Sequence, residues 1–266
     1  STKISTNDLE SLPSLDRNIN DFLRLTPQSS NYNDGVTFAG INNRFNAIYI
    51  DGAVNNDVFG LASSGTNGGQ TGISPFSLYI LDQLQVVLSP YDVTLGGFAG
   101  AGINAVTKSG TNTFSGSAYT YSQNENFVGK TNSTLADRLG IDREKVDEFS
   151  ERVYGFTLGG PVMKDKLFFF ANVEVQNDET PRPFELQNYT SAAGRASEAD
   201  LNRLRDHLIN TFNYDPGTFG NVTDNLDGLK IFGKLNYNIN KNNYLTLRHQ
   251  YTKGEQSDRE EGSSNT

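Results

Sequence analysis

The sequence predicts a mixed αβ domain followed by antiparallel strands of a partial transmembrane β-barrel. Three observations predict it. Period-two alternation of apolar and polar residues dominates the chain after residue 112. Before that point the elements are short and mixed, with turn-rich stretches between them. In the second half, short and long connections alternate strictly, which an up-and-down outer-membrane barrel requires and a soluble sandwich does not.

Composition narrows the function classes. The 266 residues include no Cys, no Trp, one Met, two His and 26 Gly, with a formal charge of −9. Without Cys there is no disulfide framework, thiolate chemistry or Cys-type zinc cluster. The acidic balance argues against nucleic acid as a partner, which would call for a basic face. The longest strictly apolar run, Leu167 to Ala171, is far shorter than the ~20 residues of a membrane helix. Barrel strands alternate, so a low mean hydropathy is compatible with a membrane barrel.

In the N-terminal part, Leu15, Ile19, Phe22 and Leu23 fall at helical spacing ahead of Pro27. "NAIYIDG" (46–52) reads as a strand closing on an Asp-Gly turn, and 53–76 is turn-rich. "LDQLQVVLSP" (81–90) reads as a strand ending at Pro90, and "GGFAGAGINAVTKSG" (96–110) passes from Gly-rich backbone into a strand. Strands are then expected near 114–127, 152–160, 167–177, 229–239 and 244–256. The stretch "PVMKDKLFFFANVEVQ" shows the pattern. Leu167, Phe169, Ala171, Val173 and Val175 share one parity, while Phe168, Phe170, Asn172, Glu174 and Gln176 share the other, largely polar one. The same split sets Ile231 and Leu235 against Lys230, Lys234 and Asn236, and Leu245 and Leu247 against Thr246, Arg248 and Gln250. The links near 161–166 and 240–243 are short. Those near 128–151 and 177–228 are long and polar, the latter with a helical patch over 197–212. The expectation is therefore a lipid-facing set of Leu167, Phe169, Val173, Val175, Ile231, Leu235, Leu245 and Leu247. The lumen-facing set is Asn172, Glu174, Gln176, Lys234, Asn236 and Arg248.

Rival motifs fail. "GFAGAGINAVTKSG" lacks G-K-[ST] and a proper G-x-G-x-x-G, so phosphate cradling is not expected. G-x-S-x-G and H-E-x-x-H are absent, and His207 and His249 have no second ligand pair nearby in sequence. "DGAVNNDVFG" is rich in oxygen ligands but departs from calcium-loop spacing, and Asx turns are the plainer reading. No enzyme activity, cofactor or metal is expected.

The ordered series "NAIYIDGAVNN" then "LDQLQVVLSPYDVTLGGFAGAGINAVTKSGTNTFSGSAY" resembles the plug domain of TonB-dependent outer-membrane transporters. In that family a (V/I)-x-I-D-G turn precedes an I-E-x-I-E-V-x-x-G-P strand and a Y-G-x-x-x-x-G-G-x-I-N-I-x-T-K segment. Asp51 and Gly52 fill the first, Leu81 to Pro90 the second and Gly96 to Lys108 the third. Ser89 stands where the family often has Gly. With "GGPVMKDKLFFF" and "DGAVNNDVFGL", these departures resemble the Oar-like subgroup common in Bacteroidetes-type bacteria.

The resemblance implies a plug domain over 1–112 and the N-terminal part of the barrel over 113–266. The full barrel would have about 22 strands and a plugged lumen. Asp51, Gly52, Pro90, Gly96, Gly97, Gly100, Gly102 and Lys108 would form the plug motif, the glycines permitting close backbone approach and positive φ. Asp51 would serve as a turn residue that can also accept hydrogen bonds from lumen-facing arginines. Neither a TonB box nor an N-terminal regulatory-like domain is found in the chain, so it is expected to be part of a larger protein.

The implied function is import of an external ligand (a peptide, glycan or chelate) across the bacterial outer membrane, with the plug gating the lumen. Loops would be extracellular, turns and plug entry periplasmic. Implied partners are TonB, through a segment outside this chain, outer-membrane lipid, and a surface lipoprotein or other assembly subunits. The alternatives are a non-transporting structural or secretion-associated barrel component, and a soluble β-rich adhesin.

Overall fold

A computed structural model describes residues 2–11, 18–32, 35–57, 71–88, 96–140, 142–143, 145–182, 198–217 and 222–257. The chain divides into two compact units. One comprises Ser1–Tyr121, Arg152–Asn177 and Leu226–Glu255, and the other Ser122–Glu151, Asp178–Asn225 and Gln256–Thr266.

The first unit holds a five-stranded N-terminal sheet and the greater part of a second five-stranded sheet. The N-terminal sheet is built from β1 (Thr2–Ser5), β4 (Ala47–Ile50), β5 (Ala53–Val54), β6 (Leu81–Val87) and β7 (Gly102–Thr107), in the order β1-β6-β7-β4-β5. β4 runs parallel to β7, with Ala47 opposite Gly102 and Ile50 opposite Ala105. β6 is antiparallel to both β1 and β7. A small hairpin, β2 (Ser29–Tyr32) and β3 (Gly35–Phe38), stands beside it with Ser29 opposite Phe38.

The helix expected ahead of Pro27 is short. α2 spans Ile19–Leu23, starts on Asn18, whose side chain accepts from the Asn20 N–H, and buries Ile19, Phe22 and Leu23. It ends at Arg24, three residues before the proline, and Leu15 lies outside the described residues. The helix over Thr6–Ser11 (α1) leaves no mark on the sequence pattern, because six residues with one buried leucine carry too little periodicity. The Asp51-Gly52 turn is as expected: φ is 47° and 83°, the pair of positive values that a two-residue hairpin between β4 and β5 demands. Ile4, Leu9, Phe22, Phe38, Ile50, Phe76, Ile80, Leu84 and Ile103 form the core of this part.

The second sheet comprises β8 (Ser115–Asn124), β9 (Ser150–Met163), β10 (Leu167–Arg182), β11 (Val222–Asn240) and β12 (Asn243–Ser257). Its order is β12-β11-β10-β9-β8, so every strand lies beside its sequence neighbours. β9 and β10 are joined through residues 164–166, and β11 and β12 through 241–242. The other two connections are long and carry the helices α3 (Ser133–Leu139) and α4 (Glu198–Phe212). α3 is capped by the Asn132 side chain and closed by Gly140 in the left-handed region.

Several strands run past their expected ends. β10 continues five residues beyond 177, and β11 begins seven before 229. In "NDETPR" neither face carries a run of apolar residues, and in "VTDNLD" only Val222 and Leu226 mark one face, too short a signal to bound a strand.

Burial along this sheet is inverted relative to a soluble sheet. Phe170, Asn172, Glu174, Lys230, Phe232 and Lys234 are buried, whereas Val173, Val175, Ile231 and Leu235 are 37–42% exposed. On β12 Leu245 and Leu247 are still more open. Thr157 is buried between exposed Phe156 and Leu158. No helix among the described residues is long and apolar enough to cross a membrane, which says nothing of strands.

Candidate functional site

The buried polar residues of the second sheet converge on the N-terminal sheet. Their centre is Asp51. Its carboxylate accepts from the Thr107 N–H at 2.8 Å and the Thr107 hydroxyl at 2.6 Å, tying the β4 turn to the end of β7. Lys234 Nζ lies 3.3 Å from the same carboxylate and donates to Thr107 O at 3.2 Å and Oγ1 at 2.9 Å. Arg248 reaches it from β12, with Nη1 3.6 Å from Asp51 Oδ2 and a hydrogen bond to the Ile50 carbonyl. A positive φ at Asp51 aims its side chain across the turn, so local conformation sets up the long-range contact.

A second cluster surrounds Glu174. Lys230 donates to Glu174 Oε1 at 2.9 Å and to Gln176 Oε1 at 3.3 Å. The Tyr119 hydroxyl (2.7 Å) and the Ser77 hydroxyl bond the other Glu174 oxygen. Asn172 donates to Tyr119 Oη at 3.3 Å and to the Phe156 carbonyl at 3.2 Å. Tyr119 stacks on Tyr79, with ring centroids 3.6 Å apart. A buried ion pair persists only when its remaining lone pairs and protons are satisfied, and Glu174 accepts from three separate donors. Further along β12, Gln250 and Thr252 each donate to the Pro75 carbonyl at 2.7 Å. A cavity of about 590 Å³ opens beside them, lined by Asn55, Thr71, Ile73, Arg248 and Gly254 among others.

The remaining sequence-predicted residues divide. Gly97 needs its glycine for φ of 80°. At Gly100 an added Cβ would lie 2.3 Å from Asn46 Oδ1, and at Gly102 2.8 Å from the Phe98 ring. Gly96 is a correction: it has no positive φ and nothing within 4 Å of an added Cβ, so neither reason for a glycine applies. Its carbonyl accepts from the Tyr49 hydroxyl, a backbone role open to other residues. Lys108 donates its N–H to the Ile80 carbonyl at 2.7 Å. Pro90 lies outside the described residues. Asn236 bonds Thr246 on the neighbouring strand at 3.0 Å rather than joining either cluster. Leu167 and Phe169 are half-buried, Phe169 against Phe114 with centroids 6.3 Å apart.

Sequence reasoning missed Ser77, Tyr119, Lys230, Thr107, Gln250 and Thr252 as site members. Lys230, Gln250 and Thr252 share the inward parity of their strands, a usable signal. Ser77 sits in an aperiodic stretch and had none. Among the described residues no group of three or more His, Cys, Asp or Glu gathers as a metal site. Within "DGAVNNDVFG", the Asn56 side chain accepts from the Ile48 N–H at 2.7 Å, an ordinary structural use.

Residues 106–261 match the family model described as "Outer membrane beta barrel domain". The chain belongs to that family. Its place is accordingly the bacterial outer membrane. This outer membrane β-barrel chain is 27% identical over 240 residues to the TonB-dependent transporter Oar of Myxococcus xanthus, covering 87% of the chain and 20% of that protein. Its fold is similar to the outer membrane transporter YddB of Escherichia coli (TM-score 0.65, 17% identity, 96% of the chain and 33% of YddB). It is also similar to the siderophore receptor PirA of Acinetobacter baumannii (TM-score 0.63, 17% identity, 96% of the chain and 31% of PirA). These relatives are transporters and receptors rather than enzymes. The barrel chain spans about a fifth of the length of the Oar protein and about a third of the solved structures.

Proposed function

We propose that the chain is the plug domain (1–112) and first barrel strands (113–266) of a TonB-dependent outer-membrane transporter of the Oar-like, Bacteroidetes-type subgroup. An external ligand binds on the extracellular side, TonB pulls from the periplasmic side, and displacement of the plug opens the lumen. The observation that carries this reading is the inverted burial of the second sheet. Its charged residues Glu174, Lys230, Lys234 and Arg248 turn toward the N-terminal sheet, while its apolar parity stays open. A sheet with apolar residues outside and ion pairs inside suits lipid on one face and a plugged polar lumen on the other.

On this reading Leu167, Phe169, Val173, Val175, Ile231, Leu235, Leu245 and Leu247 face lipid. Asn172, Glu174, Gln176, Lys234, Asn236 and Arg248 face the lumen. Asp51, Gly97, Gly100 and Gly102 hold the plug in its closed form. The sequence similarity to Oar supports transport as the activity, and leaves the ligand among peptides, glycans and chelates.

The test removes residues 1–112 from the full-length protein. Barrels that still assemble should render cells sensitive to vancomycin, and uptake through the intact protein should stop when TonB is deleted. An assembled barrel that still excludes vancomycin without residues 1–112 refutes the gating role. Uptake indifferent to TonB returns the protein to the structural or secretion-associated alternative.

A further inference from the structure

The residues that join the two sheets, 108–114, are held against the first hairpin of the second sheet. An added Cβ at Gly110 would lie 2.2 Å from the Phe169 carbonyl oxygen, 2.8 Å from the Gly160 oxygen and 2.9 Å from the Phe169 nitrogen. The connection therefore presses backbone on backbone between β9 and β10. Glycine is the residue that permits such an approach. Beside it, a Cβ at Gly160 would fall 2.3 Å from the Phe114 ring, so the aromatic covers the second glycine.

Two residues on, Asn112 and Asp165 bond each other reciprocally. Asn112 Nδ2 donates to Asp165 Oδ1 at 2.6 Å, and the Asp165 N–H donates to Asn112 Oδ1 at 2.8 Å. Asp165 occupies the tight turn between β9 and β10 with φ of 65°. From β11, the Asn238 N–H bonds the Lys166 carbonyl at 2.7 Å and its side chain reaches the Asp165 carbonyl at 3.4 Å. Three strands and the connection thus meet at one turn.

We infer that Gly110, Asn112 and Asp165 form a fixed anchor. It keeps the C-terminal end of the plug on the β9–β10 hairpin, so that opening is confined to residues N-terminal to Ser109. This rests on the plug reading above and deepens it by placing the boundary between what moves and what stays. Force applied at Thr2 passes through β1, β6 and β7 before it reaches Lys108, and the anchor stops it there. The plug is tethered rather than ejected, and closes again from its held end.

The experiment measures spin-label distances in the full-length protein in detergent. One pair is at Ser109 and Lys164, the other at Lys3 and Lys164, and all three positions are exposed. Urea is raised while retention of the folded barrel is followed by its electrophoretic mobility. The 3–164 distribution should broaden while 109–164 stays narrow. In Asn112→Ala/Asp165→Ala and in Gly110→Val, 109–164 should broaden together with 3–164. A single transition in which both wild-type distances broaden together overturns the anchor, and so does a 109–164 distance that stays narrow in both variants. No ligand, TonB or energy source enters the measurement, so its outcome is separate from that of the transport test.

Discussion

Asp51 is the residue on which most of the site depends, since it holds a turn, a β7 terminus and two cations at once. Asp51→Asn keeps the left-handed backbone and one acceptor for Thr107 but removes the charge facing Lys234 and Arg248. It should destabilise the N-terminal domain by about 3 kcal/mol, the lower edge for breaking a buried pair, because the Asp51 side chain keeps 19% exposure. The check is the urea midpoint of that domain in the full-length protein, and an unchanged midpoint would remove Asp51 from the ion-pair argument. The glycines allow a paired comparison. Gly100→Val drives a side chain into Asn46, whose amide bridges Val36 O and Ala101 N, and should admit large antibiotics across the outer membrane. Gly96→Ala meets nothing and should leave exclusion intact. Equal exclusion by both assembled variants would show that close packing at Gly100 does not seal the lumen. The sequence pattern makes these glycines look equivalent. Only the placement of Asn46 separates them, and no periodicity reports on that.

At the scale of the element, β10 shows what a strand reveals about itself. The period of two makes the opposite exposure of Val173 and Glu174 legible in the residue order, because pleating alone enforces it. What faces Glu174 is not legible there. Ser77 is 97 residues away in a stretch without periodicity, and Tyr119 lies on a strand whose two faces are both rich in small polar residues. The C-terminal end of β10 is lost for a related reason: once both faces are polar, an extended chain and a loop read alike. A depth-dependent cost should follow along the apolar parity. Val173→Arg, near the middle of β10, should destabilise the assembled barrel by ~2–4 kcal/mol, whereas Ile239→Arg, beside the 241–242 turn, should cost ~0–1 kcal/mol. Reversible unfolding into lipid vesicles measures both. Equal costs at the two positions would argue that this face meets no hydrocarbon.

For the whole molecule, the decisive feature is that the second sheet ends on β8 and β12, each with one unpaired edge among the described residues. At membrane depth an unpaired N–H or C=O costs several kcal/mol, so a spanning sheet must close. Residues 1–266 expressed without further barrel strands should therefore aggregate rather than insert, as read by size-exclusion chromatography and flotation with vesicles. A monodisperse, detergent-free monomer with native sheet content would overturn the barrel reading altogether.

The inverted burial has a further consequence for how two parts of such a protein can separate and rejoin. The polar part of their shared seam includes Asp51 with Lys234 and Arg248, Glu174 with Ser77, and the Pro75 carbonyl with Gln250 and Thr252. Every one of these groups has a natural substitute partner in water, so parting exchanges one set of hydrogen bonds for another at small net cost. A greasy seam would instead expose apolar surface, for which water offers nothing in return. The apolar contacts are Phe170 and Phe232 in the core cluster, with ring centroids 6.2 Å apart, the stacked rings of Tyr79 and Tyr119, and Ile73 against Gly228 and Gly254. On the proposed plug reading, this polar share of the seam is what water can replace each time the joint opens, so that little of it turns sticky.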